Sequence, residues 1–347
     1  MSTRRATIAD VAREAGVAPS TASVVFSGKT PVSDAARQRV LAAAAALGYT
    51  GPDPRAASLR RGRSGIVGVV FEEHLGVAFL DPVNTLMMDG LADGVGPIGA
   101  GLLLLRDDNG GREPTLTSAP LDAAVLVGCS GRLRESLATV RGRGIPVVVI
   151  EGDAGEGVPR IDLDNREAER QMASHLRSLG HERVVLLTLP KDAGRVAGWI
   201  AADDEIGVDV TRVRLTGAHD VFPDAPAYAA AASSIDEGFA AGRVLLADAA
   251  NRPTAVIAQS DLLAAGVIRA AEEAGLRVPE DLSVTGFDGV VVDGLAPYVL
   301  TTMVQPAADK GRAAGEAVAA MIDGREAASI RFTCEFREGN TTAVAPR

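Results

Sequence analysis

From residue 66 to residue 322 this chain alternates short apolar runs with longer amphipathic stretches, and that alternation admits few folds. The runs at 66–71, 102–105, 123–127, 147–150, 184–189, 213–215, 255–258 and 282–287 have the length and the Val, Ile and Leu content of buried strands. Helical patterns at 83–95, 132–143, 165–179, 231–247, 261–274 and 307–322 lie between them. Strands that each need a helical crossover before the next lie parallel, with helices on both faces of the sheet. Ligands in such folds sit at the carboxyl ends of strands, so the residues just after each run are the ones to inspect. Aromatic residues are only 3% of the chain, so Ala, Val and Leu must fill the core.

At 347 residues the chain has room for about two domains and a small module. Its 47% hydrophobic and 23% charged residues exclude a wholly disordered protein. Cys129 and Cys334 are the only cysteines, which excludes a disulfide framework and a zinc site of paired cysteines, and suits a reducing cytoplasm. No apolar stretch of signal-peptide length follows Arg4-Arg5, and no run approaches about 18 apolar residues. The expectation is a cytoplasmic protein that spans no membrane.

A formal net charge of −10 argues against a nucleic-acid partner, because phosphate binding needs a basic surface. The charge is not evenly spread. Residues 1–63 hold ten Arg and Lys against four Asp and Glu, a net +6, which leaves −16 for the remainder. A basic head on an acidic body is expected of a small nucleic-acid module joined to a larger sensor or enzyme.

Three short helices can be read in the head. Thr7 and Asp10 make a capping-box pattern, Ile8, Val11, Ala12 and Ala15 recur at helical spacing, and Gly16 stops the helix. Pro19 suits the first turn of a second helix reaching Ser27-Gly28. Ser33 can cap a third running from Asp34 to Leu47, with Val40, Leu41, Ala44 and Leu47 facing inward. Helix, Gly-containing turn, helix and packing helix is a helix-turn-helix layout.

These residues resemble a known family. Thr7-Ile8-Ala9-Asp10-Val11-Ala12-Arg13-Glu14-Ala15-Gly16-Val17, Ser20-Thr21-Ala22-Ser23, Val32-Ser33, Arg37, Arg39-Val40 and Leu47-Gly48-Tyr49 are similar to the N-terminal signature of the LacI/GalR transcriptional regulators. The resemblance implies a hinge at 51–63, where Leu59 matches a leucine that two copies of the protein press into the minor groove at the operator centre. A wedge between base steps must be apolar, and Arg55, Arg60, Arg61 and Arg63 can offset the unstacking cost through phosphates. A solvated basic linker is the plainer alternative. Pro19, Ser20 and Val24 occupy the family's base-reading positions. Val24 stands where relatives commonly carry arginine, so it meets a thymine methyl rather than guanine, and the half-site should differ from the family's commonest one. Thr7, Thr21, Ser23 and Ser33 are the candidate phosphate contacts, although Thr21 can equally be a plain surface residue.

The resemblance continues through Arg177-Ser178-Leu179-Gly180-His181, Ser260-Asp261-Leu262-Leu263-Ala264-Ala265-Gly266, Val278-Pro279-Glu280-Asp281-Leu282-Ser283-Val284-Thr285-Gly286-Phe287-Asp288 and Leu300-Thr301-Thr302. It implies a helix-turn-helix domain at 1–50, the hinge, and a periplasmic-binding-protein-like α/β effector and dimerisation domain at 64–347. That domain divides into an N-subdomain at about 65–163 and 295–324 and a C-subdomain at about 164–294 and 325–347. Arg195 and Asp288 match an arginine and an aspartate that bind the effector, a polar carbohydrate or nucleoside. Ser260 and Asp261 lie on the same rim and can equally be helix caps. Phe79 and Asp81 are candidates for the facing side, although their loop departs from the family's pattern. Trp199, the only tryptophan, reads as a packing residue.

The rival readings are weaker. Gly94-Val-Gly96-Pro-Ile-Gly99 has the dinucleotide spacing but ends a helix and precedes a strand, the reverse of what that motif needs. His74, His175, His181 and His219 lack ligand spacing, and no nucleophile pattern occurs, so the reading is no enzyme, no cofactor and no metal. A transport-type solute-binding protein would share the body but need an export signal and no head. The expectation is a homodimeric repressor on a pseudo-palindromic double-stranded operator; with no heptad tail after the strand-like run 330–336, a dimer is expected rather than a tetramer.

Overall fold

The computed structural model describes residues 6–27, 31–51, 62–71, 75–106, 115–128 and 132–346. It separates into two compact units, residues 1–65 and 66–347.

In the smaller unit, α1 (Ile8–Ala15), α2 (Pro19–Ser27) and α3 (Asp34–Ala46) enclose a core of Val11, Ala12, Ala15, Ala22, Val40, Ala43 and Ala44. Gly16 takes φ 64 to end α1, and the Val17 N–H returns to the Ala12 carbonyl at 3.0 Å, which turns the chain sharply into α2. Phe26 and Tyr49 meet edge to face at 5.3 Å and tie α2 to the segment after α3. The inner stripe of α3 differs from the one predicted. Ala36, Val40, Ala43 and Ala44 are buried, while Leu41 is 47% exposed and Leu47 is also exposed. Three neighbouring helices this short leave room for Ala on the inner face, and Leu41 falls outside the 36–40–43–44 stripe.

The larger unit holds the two sheets that the alternation predicts. In the first, β1 (Ile66–Phe71), β2 (Gly101–Arg106), β3 (Ala123–Val127), β4 (Val147–Ile150), β5 (Arg160–Leu163) and β12 (Ile330–Phe332) run parallel in the order β12-β5-β4-β3-β1-β2. In the second, β6 (Val184–Thr188), β7 (Gly198–Trp199), β8 (Ala227–Ala229), β9 (Ala255–Ala258), β10 (Ser283–Asp288), β11 (Thr301–Val304) and β13 (Glu335–Arg337) follow the order β13-β11-β10-β9-β6-β8-β7. Only its edge pairs β11–β13 and β7–β8 are antiparallel.

The chain passes between the sheets three times: after β5, after β11 and between β12 and β13. The structure revises three sequence readings, the first two through these passages. The segment 330–336 is two strands, because its halves join different sheets on either side of Thr333-Cys334. Residues 301–304 pair with β10 in the second sheet and residues 330–332 with β5 in the first, so each lies in the lobe opposite to the one expected. Residues 213–215 lie in the helix Asp209–His219, whose buried face is Val210, Thr211, Arg214, Leu215 and Ala218. The tripeptide is apolar only at its ends, and the longer three-to-four spacing decides it.

The helices Pro82–Val95 and Ala307–Ile322 pack across the first sheet through glycines. A Cβ on Gly90 would lie 1.9 Å from the Ala308 carbonyl oxygen, and one on Gly311 2.0 Å from that of Met87. Gly94 belongs to this contact, so the dinucleotide-like spacing around it is a helix end followed by a turn before β2. Trp199 is 51% exposed on the two-residue edge strand β7, with its ring edge-on to Tyr228 at 5.4 Å; a strand with one neighbour covers only one side of it.

Candidate functional site

In the smaller unit the second helix presents its candidates on one side. Pro19 and Ser20 are exposed at its start, Thr21, Ser23 and Val24 are half-buried, and Ala22 faces the core. Spacings of four residues put Pro19 beside Ser23 and Ser20 beside Val24 on the helix surface. The hydroxyls of Thr7 and Ser33 serve as caps: Thr7 Oγ1 accepts from the Asp10 N–H at 3.3 Å and donates to Asp10 Oδ2 at 2.7 Å, and Ser33 Oγ accepts from the Ala36 N–H at 3.4 Å. Both helix starts still direct amide hydrogens outward, where an anion is favoured. Arg55, Leu59 and Arg60 lie outside the described residues.

In the larger unit the carboxyl ends of both sheets converge on one cavity. Phe71, Val127 and Glu151 border it from β1, β3 and β4, and Leu189 and Asp288 from β6 and β10. Among the described residues, the non-glycine residues with positive φ are Glu151 (52°), Arg195 (49°) and Asp288 (112°), and all three line this cavity. Such backbone is costly and survives where the surroundings fix it, most often at binding and switching sites.

Asp288 ends β10 beneath this cavity. Its Oδ1 accepts from Gln305 Nε2 at 2.5 Å, and its carbonyl accepts from the Gln305 N–H at 3.1 Å. Burial pushes the carboxyl well above the usual range; Arg214 opposes this, and the neighbouring Asp81 and Asp261 reinforce it. A carboxyl displaced toward its neutral form can donate as well as accept.

One buried cation of the cavity is Arg214, which the strand reading of 213–215 concealed. Its guanidinium stacks on Phe287 at 3.5 Å, its Nε donates to Asn165 Oδ1 at 2.8 Å, and its Nη1 donates to the Gln259 carbonyl at 2.7 Å. Nη1 stands 4.0 Å from Asp288 Oδ1. The sequence did carry a signal, since Arg214-x-x-Gly217 repeats the spacing of Arg195-x-x-Gly198. Arg195 reaches the same cavity from the loop between β6 and the helix Asp209–His219, which Lys191 Nζ and Asp204 Oδ2 pin at 2.6 Å.

The other sequence candidates take supporting places. Ser260 caps the helix Asp261–Glu273, accepting from the Leu263 N–H at 3.2 Å, and Ser233 Oγ, which does line the cavity, donates to it at 3.0 Å. Asp261 is buried and braces the loop after β10, accepting from Thr302 Oγ1 at 2.6 Å and from the Val290 N–H at 2.8 Å; burial lifts it to about 7. Asp81 lines the cavity while capping the helix Pro82–Val95 through the Val83 N–H at 2.9 Å, and burial raises its pKa. Phe79 is exposed and packs on Phe71 at 5.9 Å, one ring away from the cavity.

Sequence reasoning passed over Glu151, Lys310 and Gln305, which also line the cavity. Glu151 follows a strand directly, the position that the carboxyl-end rule singles out. Lys310 is one of three lysines and stands in a helix otherwise rich in Ala and Gly. Burial acts to raise the Glu151 carboxyl, but the charges of Lys310 and Arg214 hold it below the ordinary value. Among the described residues no group of His, Cys, Asp and Glu is placed to hold a metal, and no helix is long and apolar enough to cross a membrane.

Comparison with known proteins agrees with both units. Residues 7–51 match the family described as bacterial regulatory proteins, lacI family, and residues 173–342 match a periplasmic binding protein-like domain. The chain is 35% identical over 326 residues to the HTH-type transcriptional regulator Rv3575c of Mycobacterium tuberculosis, covering 90% of each chain. Its fold is similar to that of the lac repressor dimer bound to operator and the anti-inducer ONPF, with a TM-score of 0.78 at 22% identity over 98% of this chain and 100% of that one. The transcriptional regulator CelR in complex with cellobiose gives a TM-score of 0.65 at 24% identity, covering 97% of this chain and 100% of that one.

Proposed function

The chain belongs to the lacI family of bacterial regulatory proteins, a DNA-binding transcriptional regulator and not an enzyme, and we propose that it is a cytoplasmic repressor controlled by a small polar effector held between its two lobes. The observation that carries the proposal is the convergence of Glu151, Arg195 and Asp288, the three strained non-glycine residues described, on the cavity where both sheets end. Arg214 supplies a planar donor fork and Asp288 a carboxyl able to donate and accept, a pair suited to the vicinal hydroxyls of a carbohydrate or nucleoside. Arg195, on its own loop, selects among such ligands.

On DNA, two chains place their second helices in successive major grooves, about 34 Å apart, of a two-fold operator. Ser20 and Val24 read base edges, the starts of α1 and α3 grip phosphates, and Leu59 wedges the operator centre between the arginines of the hinge. A gel-shift series on the DNA upstream of the chain's own gene, run from about 50 to 200 mM salt with and without candidate effectors, tests this. A specific complex that weakens steeply with salt and responds to a sugar or nucleoside is expected. Binding indifferent to salt, or to sequence, would sink the reading.

A further inference from the structure

Six buried polar side chains close a single circuit around the junction of the two lobes. Glu151 Oε2 accepts from Lys310 Nζ, which also donates to Gln305 Oε1. Gln305 passes the link to Asp288 at 2.5 Å, Asp288 faces Arg214 at 4.0 Å, and Arg214 donates to Asn165 at 2.8 Å. Asn165 Nδ2 returns to Glu151 Oε1 at 2.7 Å. Glu151 and Lys310 belong to the lobe of the first sheet, and Asp288 and Arg214 to the lobe of the second. Asn165 and Gln305 stand at the first and second passages of the chain between them.

Resting on the reading of Arg214 and Asp288 as the effector's partners, we propose that Glu151 and Lys310 are a positioning pair. Through Asn165 and Gln305 they hold both partners in register across the two passages, so that the effector meets a preassembled site. An ion pair with Lys310 only 1% exposed contributes little net stability, because removing both charges from water offsets their attraction. What the pair does provide is direction. Each charge fixes one partner across the lobe and one amide, and each amide fixes one effector-binding group. Glu151 keeps its positive φ at the corner of the circuit, although a residue of ordinary conformation would cost less there.

Hydrogen exchange on the full chain tests the circuit. Lys310→Met should speed exchange at least tenfold at residues 304–306 and also at residues 164–166, which Lys310 does not touch; Glu151→Gln should do the same from the other side. The double variant Glu151→Gln/Lys310→Met leaves no unpaired buried charge and should recover most of the melting temperature while both passages still exchange fast. Faster exchange confined to the substituted side, or a double variant restored in both respects, overturns the proposal. Calorimetry with cellobiose, ribose and adenosine runs beside it, and a wild-type ligand bound at least tenfold more weakly by the stable double variant supports the pair. If a ligand binds and both Arg214→Ala and Asp288→Asn bind it normally, the effector site is misplaced, and the exchange result still decides the circuit.

Discussion

Glu169 lies fully inside the second lobe on the helix Asn165–Ser178, and its Oε2 has no hydrogen-bond partner among the described residues. Burial lifts its pKa to about 8, against which the charge of Arg214 acts only in part. The folded protein therefore holds this proton over a range where the unfolded chain has lost it. The resulting stability is complete below about pH 4.5 and is lost as pH rises through about 8, at about 1.4 kcal/mol per pH unit. Glu169→Gln should flatten that fall, so that chemical denaturation shows the variant gaining on the wild type from pH 5 to pH 8; parallel curves would refute it. Helical spacing puts Glu169 on the buried face with Ala168, Met172, Ala173 and Leu176, whereas Glu167, two residues earlier, is exposed and paired with Arg170. Asp288 was legible through the resemblance, as the aspartate after Gly286-Phe287, whereas Arg214 was lost when a local apolar tripeptide outweighed the longer helical spacing. Its role rests on the planar fork that bonds Asn165 and Gln259 together, so Arg214→Lys should weaken effector binding at least about tenfold, roughly 1.4 kcal/mol, with operator affinity retained.

At the scale of elements, the sequence was most informative where local chemistry alone decides. The capping box at Thr7, the stop at Gly16 and the cap at Ser33 are all present in the structure. The short strands β7 and β8 left no readable run, because their pairing depends on neighbours distant in sequence. The glycine-mediated contact between Pro82–Val95 and Ala307–Ile322 was also invisible, since Gly90 and Gly311 look like helix breakers until the helices are laid together. A single methyl at Gly90 meets the backbone of Ala308 and must push the helices apart, so Gly90→Ala should destabilise the body by about 1–3 kcal/mol in urea titration. No loss would mean that the contact is slack. On α2, Val24→Arg places a donor fork on the outer side and should shift half-site selection toward guanine at one position, by about 1–3 kcal/mol.

At the scale of the whole molecule, the net charge of −10 describes neither part, since residues 1–63 carry +6 and the remainder −16. Counterions are released only where phosphates are neutralised, so the salt dependence of operator binding counts the cations that touch DNA and ignores the rest. The acidic body discourages nonspecific adhesion through its own surface and leaves contact to the basic segment. If Arg60 grips a phosphate as proposed, Arg60→Ala should lower the slope of log affinity against log salt by about 0.9 and weaken operator and random DNA alike. Arg243 is an exposed arginine of the body beside Glu273, and Arg243→Ala should leave the slope unchanged. Measured by fluorescence anisotropy over several salt concentrations, equal slopes for wild type and Arg60→Ala would place the hinge off the phosphates. A slope lowered by Arg243→Ala would bring the body onto the DNA and end the division of labour that the charge asymmetry implies.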